Sequence, residues 1–517
     1  MHKKTIITWA CILENNRLIA YNILKDHIIT NKYCTGCGAC VATCPVGALQ
    51  LEGDKAKRTF DCSQSLDLCP ICNEICPHSQ ALLLRSMEVV ADAPIRSEAA
   101  GYIRSILLAQ SNDPKIREDS ADGAVATSLL MYGLDSGTFD SAVVTASEEG
   151  APVKPKSKVA LTSKEVAEAM GSKFFTSPVV KTYGSAVQEY DKGKIAVVGL
   201  PCQVLALRKI DAWKHKISGK AKLIIGLFCF GAFSTKPFLN YIEKKFNLSF
   251  EDIDKITYAH DVTLHVNKGK IEIPQPQAKE LIHLGCKTCT DYTSELADIS
   301  IGSAYPMRDW SMVIIRTKKG EDLFNSAVQA GIINVRDTEK EPEVFERVII
   351  SALQKRTSGL LKISKLEKTR DFVPVRLLRE TESLQDVKVE DIMTKEVNTI
   401  SSSMTVSDLL TIMATESYIG YPVVNEDGEL LGVVTMEEVA NVDKTSRWKI
   451  TVGSIARQNI DVCYPGETVL DALKKMSRQE TGRIIVLDPT NPKKMLGIIT
   501  KRDIMHTIVE QASESIR

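Results

Sequence analysis

Residues 34–45 read CTGCGACVATCP, placing Cys34, Cys37, Cys40 and Cys44 in one run with Pro45 directly behind the last. Intervals of two residues let three thiolates converge on one cuboidal iron-sulfur cluster. The pattern returns as Cys62, Cys69, Cys72 and Cys76 followed by Pro77, with its first interval stretched. Zinc pairs two short hairpins across a longer loop, which this run does not do. Disulfides need an oxidising compartment. The apolar stretch at 5–24 is interrupted by Glu14, Asn15, Asn16 and Arg17 and lacks the cleavage site of a secretory signal. The thiols belong in a reducing cytoplasm, and metal pins the fold around them.

The C-x-x-C-x-x-C-x-x-x-C-P run is that of two-cluster bacterial ferredoxins, in which the fourth cysteine of each run serves the other cluster. That arrangement predicts one site from Cys34, Cys37, Cys40 and Cys76 and a second from Cys62, Cys69, Cys72 and Cys44.

At 517 residues the chain has room for three or four domains of about 150 residues. Lysine plus arginine equals aspartate plus glutamate at 65 each, so no overall field draws it to nucleic acid or anionic lipid. No run of eighteen apolar residues occurs, and a membrane span is not expected.

From about residue 101 helix and strand signals alternate. Residues 121–134 predict a helix, 141–146 a strand, 194–199 (KIAVVG) a buried strand leading to Cys202 and a helix at 204–210, and 222–229 (KLIIGLFC) a second strand ending on Cys229. Strand ends are where α/β folds place ligand chemistry. Cys286 and Cys289 add a C-x-x-C, which on spacing alone is a cluster site, a zinc hairpin or a redox disulfide; Cys202 and Cys229 could equally be buried thiols. His260, His265 and His283 follow no metal spacing and read as surface or hydrogen-bonded histidines. Cys11 and Cys463 read as buried or incidental thiols.

The segments GSKFFTSPV (171–179), VVGLPCQVLALRK (197–209), GLFC (226–229), CKTCTDYTSELADISIG (286–302) and MVIIRTKKG (312–320) resemble the coenzyme F420 hydrogenase/dehydrogenase beta-subunit family. The resemblance covers about residues 30–380. It implies an α/β domain that binds FAD and a third four-iron, four-sulfur cluster on Cys202, Cys229, Cys286 and Cys289, beside the flavin. Candidate flavin contacts are Ser120, Gly123, Gly171, Ser172, Lys173, Thr176, Ser177 and Pro201, with glycine allowing close approach and hydroxyls, amides and a lysine meeting the pyrophosphate. Asp122 departs from the serine- and glycine-rich stretch usual there. Arg316 and Lys318 are candidates for an anionic coenzyme tail. No catalytic acid or base is required, because the flavin and deazaflavin supply the hydride chemistry.

Residues 351–386 read as a charged connection with little apolar periodicity. Beyond it the chain repeats with a period of about sixty: a Thr-Val-x-Asp helix start at Thr405 and Thr468, an apolar strand, and Leu-Gly-x-x-Thr at 431–435 and 496–500. This resembles a tandem CBS pair, whose implied ligand is an adenine nucleotide such as AMP or ATP. Thr500 and Asp503 match the ribose-holding pair, a carboxylate accepting from both hydroxyls. The first repeat has Thr435 and Glu438, so one occupied cleft is expected.

The expected architecture is multidomain α/β: an N-terminal extension (1–29), a ferredoxin-like module for two four-iron clusters (30–88), an α/β flavin-binding domain with the third (89–380), and two β-α-β CBS units (387–445 and 446–512). The expected activity is a cytoplasmic flavin and iron-sulfur oxidoreductase that exchanges a hydride with coenzyme F420. It passes single electrons to ferredoxin or an oxidoreductase partner subunit, in a homo- or hetero-oligomer gated by adenine nucleotide. Alternatives are an electron-transfer and energy-sensing subunit without its own F420 site, or a flavin reductase of another two-electron substrate.

Overall fold

A computed structural model describes residues 20–374 and 387–507, apart from 63–68, 98, 259–260, 268, 339–340, 371, 417–419, 436–437, 440, 444, 479–482, 501–502 and 505–506. Two compact units divide the chain, one of them Leu18–Leu378 and the other built on Arg379–Arg517.

The first unit is organised by an eight-stranded sheet. Its strands in chain order are β1 (Ser105–Ser111), β2 (Ser141–Glu148), β3 (Ala151–Ala160), β4 (Ile195–Gly199), β5 (Ala221–Leu227), β6 (Ile299–Ser303), β7 (Ser311–Ile315) and β8 (Ile333–Asp337). Across the sheet the order is β8-β1-β7-β6-β5-β4-β2-β3. The central strands β2, β4, β5 and β6 run parallel, and antiparallel strands flank them on both sides. Parallel strands are covered on both faces, which is why 195–199 and 223–227 are continuous apolar runs. Val143, Val197 and Ile224 join one core, while Ala142, Val144, Ala196 and Ile225 join the other.

Five helices matter for the site: α1 (Val125–Asp135), α2 (Pro201–Trp213), α3 (Leu284–Lys287), α4 (Lys318–Gln329) and α5 (Pro342–Glu367). The helix expected from residue 121 begins at Val125, because Asp122 and Ala124 hold left-handed backbone at φ 49° and 58°. Pro201 opens α2 without losing a needed donor, and the Leu200 N–H donates to Gln203 Oε1 at 2.8 Å.

The connection expected at 351–386 is corrected by α5, whose 26 residues run to Glu367. Its buried positions are Val344, Val348, Ala352, Lys355, Gly359, Leu360 and Ile363, the three-and-four spacing of a helical stripe. Past it, Phe372 stacks on His27 with ring centroids 4.4 Å apart. Residues 375–386 lie outside the described residues.

The cysteine-rich N-terminal module shares the core of the α/β domain. Cys37, Ala39, Ile75, Leu83 and Val90 pack in one cluster with Val204, Leu205 and Leu207 of α2. Gly38 sits at φ 79°, and a Cβ on it would lie 2.6 Å from the Lys181 Cβ, so the approach requires glycine. The fully buried Lys209 donates to the carbonyls of Cys76 at 2.7 Å and Ser79 at 2.8 Å.

The second unit is a true repeat. Ile400–Ser401 pairs in parallel with Gly420–Val424, which pairs antiparallel with Leu430–Thr435; Val462–Cys463, Arg483–Asp488 and Asn491–Thr500 do the same. Helices Val406–Glu416 and Val469–Arg478 fill the matching places. Bridges Lys388↔Thr468 and Thr394↔Ile498 carry the leading segment of the first repeat onto the second, and Val433↔Arg457 returns the exchange. Among the described residues no helix is long and apolar enough to cross a membrane.

Candidate functional site

The cysteines gather into three sets. Cys34, Cys37, Cys40 and Cys76 wall one cavity, closed by Leu24, Ile28 and His78 among others. Burial first, then Cys76, Cys202 and Cys34, push the Cys37 thiol well up; for Cys40 the neighbours are Cys34, Cys37, Cys76 and Cys72. The second set centres on Cys72, pushed up to about 12 by burial, then by Cys69, Cys44 and Cys62. Cys44 Sγ accepts from the Ala48 N–H at 3.2 Å. The third set joins Cys202, in the first turn of α2, to Cys229 just past β5 and to Cys286 and Cys289 in and after α3. Burial first, then Cys286, raise the Cys229 thiol, with Cys202 and Cys289 adding to the rise.

Thiolates this crowded repel one another, and a cationic metal centre among them relieves the repulsion and removes the protons. Among the described residues no group of three or more His, Cys, Asp or Glu side chains is arranged to hold a single metal ion. A cuboidal cluster asks for something else, one thiolate per iron around a larger space. The cavity walled by Cys34, Cys37, Cys40 and Cys76 offers one.

The sets lie in a definite order. Cys37 feels Cys202 of the third set, and Thr35 Oγ1 lies 3.9 Å from Cys202 Sγ. Across the second boundary Cys40 feels Cys72, and Cys72 feels Cys76. The first set is therefore the middle one. His78 joins the inner boundary, its ring 3.4 Å from Thr35 Oγ1 and so close to Gly285 that a Cβ there would come within 2.6 Å.

Of the candidate flavin contacts, Ser120 is a buried hydroxyl without a hydrogen-bond partner, the kind of orphan that a ligand satisfies. Gly123 is wedged, since a Cβ would meet the Ala109 carbonyl oxygen at 2.4 Å. Gly171, at φ 82°, lies near Asp119, so the two predicted loops do meet. Ser172 is exposed. Lys173 folds back, its ammonium donating to the carbonyls of Met170 at 2.6 Å and Gly171 at 3.1 Å. Thr176 faces His283 at 3.4 Å. Ser177 Oγ lies 2.7 Å from Thr145 Oγ1, and its carbonyl accepts from Gln203 Nε2 at 2.8 Å. Pro201 is buried at the start of α2. Asp122 does not face open solvent as a turn aspartate would: it accepts from Ser303 Oγ at 3.0 Å, and burial raises its pKa.

Arg316 must be reassigned. It is completely buried, and its guanidinium donates to Ser300 Oγ at 2.6 Å, to the carbonyls of Ala100 at 2.7 Å and Tyr102 at 2.8 Å, and to Thr293 Oγ1 at 2.9 Å. It ties the segment before β1 to β6 and β7 and has no face left for a coenzyme. Lys318 is exposed and paired with Glu321 and Asp322. His265 bonds Thr257 at 3.1 Å; His260 and Cys11 lie outside the described residues. Sequence reasoning missed Lys355, which donates to the carbonyls of Phe230 and Cys286; no motif marks a lysine inside a helix.

In the second unit, Thr500 Oγ1 donates to Asp503 Oδ2 at 2.8 Å, and Thr435 Oγ1 to Glu438 Oε2 at 2.6 Å. Both carboxylates sit beside their threonines, and Glu438 also faces Arg457 at 3.8 Å. Cys463 is buried in the second repeat.

Comparison with known proteins supplies the family. Profiles for the N-terminal and C-terminal parts of the coenzyme F420 hydrogenase/dehydrogenase beta subunit match residues 106–183 and 192–341. A 4Fe-4S binding domain matches 27–50, and CBS domains match 389–444 and 452–510. The coenzyme F420 hydrogenase subunit beta of Methanothermobacter thermautotrophicus is 32% identical over 252 residues, 46% of this chain and 86% of that one. Its counterpart from Methanococcus voltae, also a coenzyme F420 hydrogenase subunit beta, is 32% identical over 272 residues, 50% of this chain and 92% of that one. A structure of the F420-reducing [NiFe] hydrogenase complex from Methanosarcina barkeri contains a chain that superposes with a TM-score of 0.50 at 27% identity, covering 54% of this chain and 99% of that one. With four thiols of its own in the matched region, a 4Fe-4S binding domain before it and a CBS pair after it, this chain belongs to the coenzyme F420 hydrogenase/dehydrogenase beta-subunit family.

Proposed function

We propose that the protein is a flavin and iron-sulfur oxidoreductase that exchanges a hydride with coenzyme F420 and moves single electrons through three four-iron clusters. The observation that carries the reading is the placement of the third thiol set. Its Cys202 and Cys229 stand at the carboxyl ends of β4 and β5, and Cys202 lies next to Cys37 and Thr35 of the ferredoxin-like module.

FAD, when bound, supplies the conversion between a two-electron hydride and single electrons. The protein's residues do the rest. Ser120 would offer its free hydroxyl to the cofactor, and Gly171 would let the backbone approach it, whereas Gly123 is taken up by packing on Ala109 and Ser311. Lys173 stiffens its loop by neutralising carbonyl dipoles and is a weaker candidate for the pyrophosphate than its sequence position suggests. The third set would hold the inner cluster, Cys34, Cys37, Cys40 and Cys76 the middle one, and Cys44, Cys62, Cys69 and Cys72 the outer one. Ferredoxin or a partner subunit would then meet the chain at the outer set, all four of whose cysteines are partly exposed, whereas three of the four in each other set are buried. Thr500 and Asp503 would hold the ribose of one adenine nucleotide, biasing the protein between states that differ in electron transfer.

Anaerobically purified full-length protein tests this directly. About twelve irons per chain are expected under the three-cluster reading, and reduced coenzyme F420 should bleach flavin and cluster absorbance. Absorbance that persists with reduced F420, yet is lost with dithionite, would leave an electron-transfer module without its own F420 site.

A further inference from the structure

Lys355 stands near the middle of α5, 7% exposed, with its ammonium 2.6 Å from the Phe230 carbonyl oxygen and 2.7 Å from that of Cys286. Those carbonyls belong to the two loops that carry Cys229 and Cys286. The placement is enforced one turn further along the helix. A Cβ on Gly359 would lie 2.8 Å from the Cys289 carbonyl oxygen, so α5 packs directly on the Cys286–Cys289 loop.

A buried ammonium that meets only neutral carbonyls carries an uncompensated desolvation cost. No carboxylate is paired with Lys355 among the described residues. The compensating charge would lie on the cluster, because both carbonyls that Lys355 holds belong to the loops that carry its thiol ligands. A four-iron cluster on four thiolates is anionic and becomes more so when it takes up an electron. A fixed cation close by stabilises the reduced form more than the oxidised form, raising the potential.

We infer that Lys355 is the buried cation that sets the reduction potential of the cluster held by Cys202, Cys229, Cys286 and Cys289. It is a positioning residue that acts through its charge and through the loops it joins. The inference rests on the proposed third cluster.

Full-length wild type, Lys355→Met, Lys355→Gln and Lys355→Arg are compared by iron and acid-labile sulfide analysis and by redox titration followed by electron paramagnetic resonance. In the two uncharged variants one midpoint should fall, changing the reduced-to-oxidised ratio at fixed potential about tenfold, equivalent to about 59 mV for one electron. The other two midpoints should stay in place, and the arginine variant should remain near wild type. The assignment is overturned by an unmoved midpoint in an uncharged variant with full iron. It is also overturned if the arginine variant shifts as far as methionine, or if both uncharged variants lose about four irons, which would make Lys355 scaffolding. A wild-type count of about eight irons would remove the third cluster itself, and Lys355's role with it, before any variant is compared.

Discussion

Asp298 shows how much of this molecule rests on single buried charges. Completely buried just before β6, it meets Arg208 Nη2 at 3.0 Å, Lys319 Nζ at 3.1 Å, Thr317 Oγ1 at 2.8 Å and the Ile224 N–H at 2.8 Å. Burial would raise its pKa, but Arg208 and then Lys319 and the hydrogen bonds hold it below the ordinary carboxylate value. A depressed carboxylate stabilises the fold fully above its unfolded pKa, and that contribution disappears as the pH falls through the lower, folded pKa. Asp298→Asn should therefore cost about 3–5 kcal/mol at pH 7, because it leaves the buried Arg208 guanidinium uncompensated. Denaturant titration should show the deficit shrinking toward acid pH; an unchanged midpoint at pH 7 would refute this role. Asp298 could not be read from sequence, since its partners come from distant segments. The cysteines could, because their closely spaced runs write the ligand pattern into the local chain. Arg316 failed for the opposite reason: a cation after a strand looks the same whether it turns to solvent or to internal carbonyls.

At the scale of elements, the apolar runs of β4 and β5 were legible because strands covered on both faces leave no polar positions to confuse the period. Helix α5 was not. Two of its buried positions are Lys355 and Gly359, which face the cysteine loops rather than adding apolar area, and so break the apolar period of the stripe. Those two residues lie four apart and so share one face. Inserting a single alanine after Thr357 turns one against the other by about 100°. The expected outcome is loss of about four irons per chain while the ferredoxin-like clusters persist, measured by iron content and by the remaining paramagnetic signals. An insertion after Glu367 should leave the iron count unchanged.

At the scale of the whole molecule, the chain joins a redox unit to a repeat of another family, and the period of the repeat was plain in the sequence because both copies keep their turns. Their unequal chemistry was legible too, in Asp503 of one copy against Glu438 of the other. Asp503→Asn should weaken adenine nucleotide binding to the full chain at least tenfold by calorimetry, about 1.4 kcal/mol or more, whereas Glu438→Gln should change it little; equal losses would put two nucleotides on the pair. The exchange of segments between the repeats has a further meaning. Residues 388 and 394 bridge to the neighbouring copy, and residue 433 bonds into the segment that opens the second copy. The duplication therefore no longer consists of two separable parts: deleting either copy strips the survivor of an edge, and a gene cut between them would encode two incomplete halves rather than two smaller domains.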